Sequence, residues 1–99
     1  MVNLDTALND SEITGTFQGD QSVLDFHWKN KNFHEAKIIG GSLSGSRFED
    51  CSFTNVLFEN VALDHVDFLR CSFDQCQLIH CAREGMEVKN CTGEPIIIG

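Results

Sequence analysis

The sequence predicts an all-β solenoid built from five-residue repeats. Large apolar residues recur at every fifth position through eleven consecutive repeats, namely Trp28, Phe33, Ile38, Leu43, Phe48, Phe53, Phe58, Leu63, Phe68, Phe73 and Leu78. Smaller residues recur two positions earlier, namely Ala36, Gly41, Ser46, Cys51, Val56, Val61, Val66, Cys71, Cys76 and Cys81. Two inward positions in each repeat explain why the 99 residues contain eight Phe and five Cys but no Tyr.

The residues between these inward positions are polar and turn-prone, as in Glu49-Asp50, Thr54-Asn55 and Asp74-Gln75. A period of five matches neither the 3.6-residue period of an α-helix nor the two-residue period of an ordinary strand. Amphipathic helices and antiparallel strands therefore fit the sequence poorly. Self-similarity at a short fixed period is typical of solenoids, in which each unit stacks on its neighbours.

The segments Cys51–Asn55, Val66–Arg70 and Cys71–Gln75 resemble the unit of the pentapeptide-repeat family. That unit is roughly Ala, then Asp or Asn, then Leu or Phe, then two polar residues, and the resemblance extends from about Phe26 to Cys81. It implies a right-handed quadrilateral β-helix with one repeat on each side and four repeats in each turn, hence about three to four coils. The family shares a scaffold more than an activity, so the resemblance predicts the fold more than the function.

Four repeats per turn would place residues twenty apart one above another, at the ~4.8 Å spacing of paired strands. The large inward residues then form four columns: Phe33, Phe53 and Phe73; Ile38, Phe58, Leu78 and Ile98; Val23, Leu43 and Leu63; and Trp28, Phe48, Phe68 and Val88. The smaller ones form four more: Cys51, Cys71 and Cys91; Ala36, Val56, Cys76 and Ile96; Gly41, Val61 and Cys81; and Phe26, Ser46, Val66 and Met86. Nearly all of these residues are apolar, as a solenoid core requires.

The sequence predicts one domain with three segments. Residues 1–25 are expected to cap the first coil, with a turn at Thr16–Val23, because an open solenoid end exposes both core and strand edges. Residues 26–81 hold the clear repeats, and residues 82–99 are expected to form an irregular C-terminal coil.

The repeat pattern weakens after Cys81. Arg83 and Gly93 fall on positions that should point inward, which predicts a loop or a slipped repeat near Ala82–Gly85. Ile96 and Ile98 then return to phase.

Three consecutive isoleucines, Ile96, Ile97 and Ile98, follow Pro95 in a coil for which no capping helix is predicted. An uncovered apolar end of this kind favours contact with a second copy of the chain. We therefore expect a homodimer joined through the C-terminal coil, with these three residues in the interface.

Composition excludes several classes of function. The formal charge of −8 opposes direct binding to nucleic acid and to anionic membranes. No apolar stretch is long enough to span a bilayer, and Met1–Asp5 lacks the character of a signal peptide, which together predict a cytoplasmic protein. Because the number of Cys is odd and no secretion signal accompanies them, free buried thiols are expected rather than disulfides.

No constellation of catalytic, cofactor-binding or metal-binding residues emerges. The five Cys are at least five positions apart, whereas structural zinc sites use Cys pairs two to four residues apart. Gly40–Gly45 lacks the Lys and helix of a phosphate loop. The His residues lie on polar positions without ligand or catalytic spacing, at His27, His34, His65 and His80. The chain is expected to be no enzyme and to need neither cofactor nor metal.

Acidic residues form the remaining pattern. The coil arrangement would stack Asp64 with Glu84 and Asp67 with Glu87, and would place Asp74 on a further side. Such rows either solvate the coil or imitate the phosphates of duplex DNA, which carries one charge per ~1.7 Å. Under the second interpretation, these five carboxylates bind a protein partner.

The resemblance supplies candidate partners. The best-known members of the family are rod-like dimers that bind DNA gyrase and related topoisomerases, and this chain has fewer coils, no evident C-terminal helix and no projecting loop. The leading hypothesis is an acidic DNA mimic that inhibits or modulates a DNA-binding enzyme, with topoisomerase first. The alternatives are a structural or adaptor module that binds protein, and a phage-type anti-restriction or anti-CRISPR mimic.

Overall fold

The computed structural model describes residues 2–19 and 27–99. These residues form parallel strands, one 3-10 helix at Leu4–Ala7 and no α-helix. The strands are β1 (Val2–Asn3), β2 (Glu12–Gln18), β3 (His27–Lys29), β4 (Asn32–Ile39), β5 (Arg47–Glu49), β6 (Ser52–Thr54), β7 (Leu57–Glu59), β8 (Asp67–Leu69), β9 (Ser72–Asp74), β10 (Gln77–Ile79), β11 (Glu87–Lys89) and β12 (Ile96–Ile98).

Strand pairing repeats every twenty residues on four sides. Side 1 stacks the first part of β4 on β6 and β9, and side 2 stacks the last part of β4 on β7 and β10. Side 3 is held by the bridges Ser42 to Ala62 and Ala62 to Ala82, and side 4 stacks β3, β5, β8 and β11. The predicted fold is confirmed as a four-sided parallel β-helix of about four turns.

Every fifth residue forms a corner with a left-handed backbone. The φ angle lies between 48° and 81° at Asn30, Glu35, Gly40, Gly45, Asp50, Asn55, Asn60, His65, Arg70, Gln75, His80, Gly85 and Asn90. Gly, Asn and Asp accept this conformation most readily, which explains their frequency at these positions. Corner N–H groups donate to the next coil, as Asn55 does to the carbonyl of Asp74 at 2.9 Å.

The core follows the predicted columns, except that Gly41, which was expected to point inward, is exposed. Phe53 stacks on Phe73 with ring centroids 5.3 Å apart, and Phe48 stacks on Phe68 at 5.1 Å. Neighbouring columns meet edge to face, as Phe48 meets Phe53 at 5.6 Å. Both geometries are favourable for aromatic rings, so one residue type can fill adjoining columns without voids. The expected column positions Val23 and Phe26 lie outside the described residues.

Each Cys thiol in the small columns makes the same type of hydrogen bond. Cys51 donates to the carbonyl of Trp28 at 3.3 Å, and Cys76 donates to that of Phe53 at 3.2 Å. Cys71, Cys81 and Cys91 also donate to the carbonyl 23 residues earlier. A thiol therefore fills a small apolar position and supplies a weak donor to a carbonyl inside the coil. All five Cys are free.

The N-terminal segment already contributes to the stack. In β2, Ile13 pairs with Phe33 and Phe17 with Ile38, across a one-residue irregularity. Leu4 and Ala7 of the 3-10 helix are buried and join the core cluster. The expected turn at Thr16–Val23 is therefore wrong for its first part, since β2 continues to Gln18; Asp20–Val23 lies outside the described residues.

The C-terminal register corrects two expectations. No slip occurs near Ala82–Gly85, because Ala82 pairs with Ala62, and β11 pairs with β8 at a spacing of twenty. The spacing falls to nineteen in β12, where Ile97 rather than Ile98 lies opposite Leu78. One residue is therefore missing from the turn before Ile96, and the predicted return of Ile96 and Ile98 to inward positions is wrong.

Gly93 lies in the turn where this residue is lost. It has a φ of 72°, and a Cβ at this position would overlap the carbonyl oxygen of Phe73. Glycine therefore lets the backbone pass close to the coil below and closes the shorter turn. The inward position that looked anomalous in the sequence is thus required by the backbone.

Candidate functional site

The outer faces of the four sides are the candidate binding surfaces. Each strand of three residues points its middle side chain inward and its two flanking side chains outward. In the coils, these outward residues lie in vertical rows of residues twenty apart. The candidate sites are therefore sets of stacked outward residues, together with the corners and the C-terminal end.

Side 3 carries two of the predicted acidic residues. The peptide N–H of Glu84 donates to the Asp64 carboxylate at 2.8 Å, and Glu84 lies one coil above Asp64. This contact joins the last two coils. The Asp64 carboxylate thus has an internal partner, whereas Glu84 is exposed.

Side 4 carries the predicted acidic residues Asp67 and Glu87, and basic residues lie next to them. Glu87 pairs with Asp67 in the strand register, and Asp67 pairs with Arg47 below it. Lys89 forms a 2.7 Å ion pair with Glu87, which raises the pKa of Lys89. Arg47 interrupts the acidic row at its lower end and Lys89 lies beside Glu87, so this side presents mixed charge.

An ionic cluster lies below this row on side 4. Arg70 reaches down one coil to Glu49 and to Asp50, whose Oδ1 lies 2.8 Å from the Arg70 Nε. His27 contacts the other side of Glu49 at 2.9 Å. The hydrogen bonds with His27 and then with Arg70 lower the pKa of Glu49, and Arg70 lowers the pKa of Asp50. The cluster joins coils and leaves these carboxylates compensated.

Asp74, the fifth predicted acidic residue, is exposed on side 1, away from the other four. The five carboxylates therefore occupy three sides and form no single strip.

The distribution of charged residues along the chain explains why the coils present no single acidic strip. Residues 1–28 contain five Asp or Glu and no Lys or Arg, whereas residues 29–99 contain ten acidic and seven basic side chains, a net charge of −3. Side 4 alone, at residues 27–30, 47–50, 67–70 and 87–90, holds four carboxylates and four Lys or Arg. The coils after residue 28 are therefore only weakly acidic.

Side 2 carries a feature that the sequence analysis missed. Its outward positions include aliphatic residues, namely Ile39, Leu57, Ile79, Ile96 and Ile98, which we call the aliphatic face. Lys37 and Glu59 are the formally charged outward residues among them, so this face has no net formal charge. Only the strand register reveals it, because β12 brings Ile98 beside Ile79.

The C-terminal end exposes core-column residues. Val88, above Phe68, is 43% exposed, and Ile97, above Leu78, is 47% exposed. Ile96 and Ile98, 57% and 45% exposed, flank Ile97 on the outer face. The three predicted interface isoleucines therefore divide between the coil end and side 2.

Shallow grooves follow two corners. One, between sides 1 and 2, has a volume of about 440 Å³ and includes Asn55, Gln75 and Gln77 in its lining. The other, between sides 4 and 1, has a volume of about 360 Å³ and is lined in part by Arg70 and Asn90. Both are open at the surface, so they suit extended ligands rather than enclosed small molecules.

The thiols do not form a reactive centre. Burial raises the pKa of Cys76, Cys81 and Cys91, so these thiols stay protonated. The interaction between the Cys51 and Cys71 thiols raises the pKa of Cys71 and lowers that of Cys51. Within residues 2–19 and 27–99, no group of three or more His, Cys, Asp or Glu is arranged to hold a metal ion.

A membrane-spanning helix is also absent from residues 2–19 and 27–99. No helix in the described part of the chain has the length and apolar character needed to cross a bilayer.

Comparison with known proteins supports the fold. A comparison with curated proteins finds no match to the chain. Residues 25–67 match the family model described as pentapeptide repeats (9 copies). Proteins with this type of solenoid are typically non-catalytic and often serve as protein-interaction modules. The match, the twenty-residue register and the corner at every fifth residue identify residues 25–67 as pentapeptide repeats.

Proposed function

We propose that this chain is a non-enzymatic, cytoplasmic protein-interaction module that binds a protein partner through the aliphatic face of side 2. The observation that carries the proposal is the outward row on side 2, in which Ile79 and Ile98 are adjacent and Glu59 separates them from Ile39, on a sheet face with no net formal charge. Contiguous exposed apolar surface is typical of protein-binding sites. Five free thiols are consistent with a reducing compartment.

A matched pair of variants tests the aliphatic face. Ile39→Gln combined with Ile79→Gln removes its centre, whereas Leu69→Gln alters a half-buried outward residue at the equivalent strand position on side 4. Immobilised wild-type chain and both variants are incubated with cell extract at low and high salt, and the retained proteins are identified by mass spectrometry. We expect a partner that survives high salt, is lost with the double variant and is kept by Leu69→Gln.

The opposite pattern would reject this proposal. A partner released by high salt and unaffected by the double variant would indicate electrostatic binding at another surface. Circular dichroism of each variant excludes unfolding as the cause of a lost partner.

DNA mimicry is the second candidate function. The last two coils hold Asp64, Asp67, Glu84 and Glu87 around one corner, and Asp74 lies on side 1. Such a cluster could occupy the DNA channel of gyrase or another topoisomerase, or of a restriction or CRISPR nuclease. We expect mimicry to be abolished when all five become Asn or Gln and to weaken steeply with salt; inhibition of DNA supercoiling by gyrase is the readout.

We further propose a homodimer through the C-terminal coil. Val88 and Ile97 leave core columns exposed there, and β11 and β12 present backbone edges that strands of a second copy could pair with. Analytical ultracentrifugation should show a wild-type dimer and a monomer for Ile97→Asp, while Val2→Asp at the opposite end stays dimeric. A wild-type chain that remains monomeric at high concentration contradicts the proposal.

A further inference from the structure

The corner groove between sides 1 and 2 has polar walls and one partly exposed aliphatic side chain. Leu57 supplies that aliphatic surface, whereas Ala36 and Val56, which also border the groove, point into the core and are 1% exposed. Asn55 and Gln75 are successive corner residues on one wall, and Gln77 lies on side 2 in β10. The groove therefore runs across neighbouring coils, parallel to the axis of the β-helix.

The three amide side chains of this groove are available to a ligand. Among the described residues, no side-chain hydrogen bond involves Asn55, Gln75 or Gln77, whereas the backbone N–H groups of Asn55 and Gln77 donate to the carbonyls of Asp74 and Val56. Each primary amide offers donors and an acceptor, which matches the one donor and one acceptor of a peptide group. The backbone of the coil fixes where these amides lie.

The charge and the length of the groove limit the kinds of ligand that fit it. Glu35 and Lys37 are the charged residues in the lining and cancel one another, so the groove does not favour phosphates or other polyanions. The corners at Glu35, Asn55 and Gln75 span two coil spacings, about 10 Å, which is the length of about three extended residues. The partly exposed Leu57 side chain suits contact with one apolar side chain of a ligand.

We infer that this groove binds an extended, uncharged peptide segment of the protein partner, with Asn55, Gln75 and Gln77 holding its main chain and Leu57 contacting an apolar side chain. The inference rests on the proposed function, because the groove borders the aliphatic face of side 2. A partner that covers that face would carry the segment into the groove.

The test uses the full chain labelled with nitrogen-15 and the blocked tetrapeptide acetyl-alanyl-leucyl-valyl-alanyl amide. Titration should shift the side-chain amide resonances of Asn55, Gln75 and Gln77 with a saturable dependence on peptide concentration. Gln75→Gly combined with Gln77→Ala should weaken binding about tenfold, because two hydrogen bonds are removed. Glycine is chosen at residue 75 because the corner is left-handed.

Asn60→Gly is the matched control. It changes an amide at the next left-handed corner, outside the groove, and should leave binding unchanged. Backbone amide spectra of both variants report whether the coil is intact. A single Asn55→Gly variant gives an independent measurement if the double variant is unfolded.

Three outcomes would overturn the inference. They are amide resonances that do not move at millimolar peptide, peptide binding at another surface, and a shift of the same amides by cellotetraose but not by the peptide. If the partner still depends on Ile39 and Ile79 in the retention experiment, only the peptide groove is rejected and the proposed function stands.

Discussion

The middle coils and the last coil use the same repeat, yet they bury it differently. Phe53 and Phe58 are buried, whereas Val88 and Ile97 in the last coil are 43% and 47% exposed. The strand register of β11 is as regular as that of β8, so geometry is not the cause. In a solenoid, each repeat is covered by the coils on both sides, and a coil with one described neighbour stays half open.

The column positions of the last coil are also less apolar. Arg83 and Gly93 occupy places that hold Leu63 and Phe73 one coil below. Because no described coil lies above, Arg83 remains exposed and avoids the cost of burying a charge. The comparison shows that the repeat pattern is required only where both neighbours are present.

The largest test of this comparison is truncation of a column residue. Phe53→Ala should lower the free energy of unfolding by about 3–5 kcal/mol, because the ring stacks on Phe73 and meets Phe33 edge to face. Val88→Ala should cost less than about 1 kcal/mol, since its side chain is already half exposed. Urea unfolding measures both, and equal losses would contradict the neighbour-based account.

A pair of glycine variants should show the opposite order, with the larger effect in the last coil. Gly40 and Gly93 have similar positive φ angles, so alanine at either place costs about 1–2 kcal/mol of backbone strain. At Gly40, the added Cβ meets no other atom, whereas at Gly93 it overlaps the carbonyl of Phe73. Gly93→Ala should therefore release β12, and Gly40→Ala should not.

Hydrogen exchange distinguishes the two glycine variants. The backbone N–H of Ile96 donates to the carbonyl of Cys76, and that of His80 donates to the carbonyl of Ile98. Both amides should lose protection in Gly93→Ala and keep it in Gly40→Ala. Unchanged protection in Gly93→Ala would show that the shortened turn does not depend on glycine.

The smallest expected effect concerns acid stability. Glu49 and Asp50 have lowered pKa values in the fold, so their contribution is complete above the ordinary carboxyl pKa and is lost as the pH falls through the lowered values. Arg70→Gln removes their shared partner and should make stability less dependent on pH below about 4. The measurement is the urea midpoint as a function of pH.

Lys89→Gln is the corresponding change in the last coil. The Lys89 side chain pairs with Glu87 in the same strand and does not connect coils, so its loss should leave the acid profile unchanged. An equal change in both profiles would show that the inter-coil position of Arg70 has no special role.

The candidate surfaces were less predictable than the fold. The five carboxylates were chosen by stacking residues twenty apart, and the same spacing places Arg47 beneath Asp67, but it does not report that the Lys89 side chain pairs with Glu87. The aliphatic face was missed because Ile98 was assigned to the core. A single residue lost from a turn changes which side chains point outward in the strand that follows.

The sequence by itself determined the repeat, the inward columns and the corners, because these depend on local chemistry that recurs every five residues. Phe or Leu must be buried, and Gly, Asn or Asp suits a left-handed corner. The tertiary structure alone decided the nineteen-residue spacing of β12, the compensation of Glu49 by Arg70 and the aliphatic face of side 2. These features depend on which residues lie one coil apart, and that is set by the closed turn of the backbone.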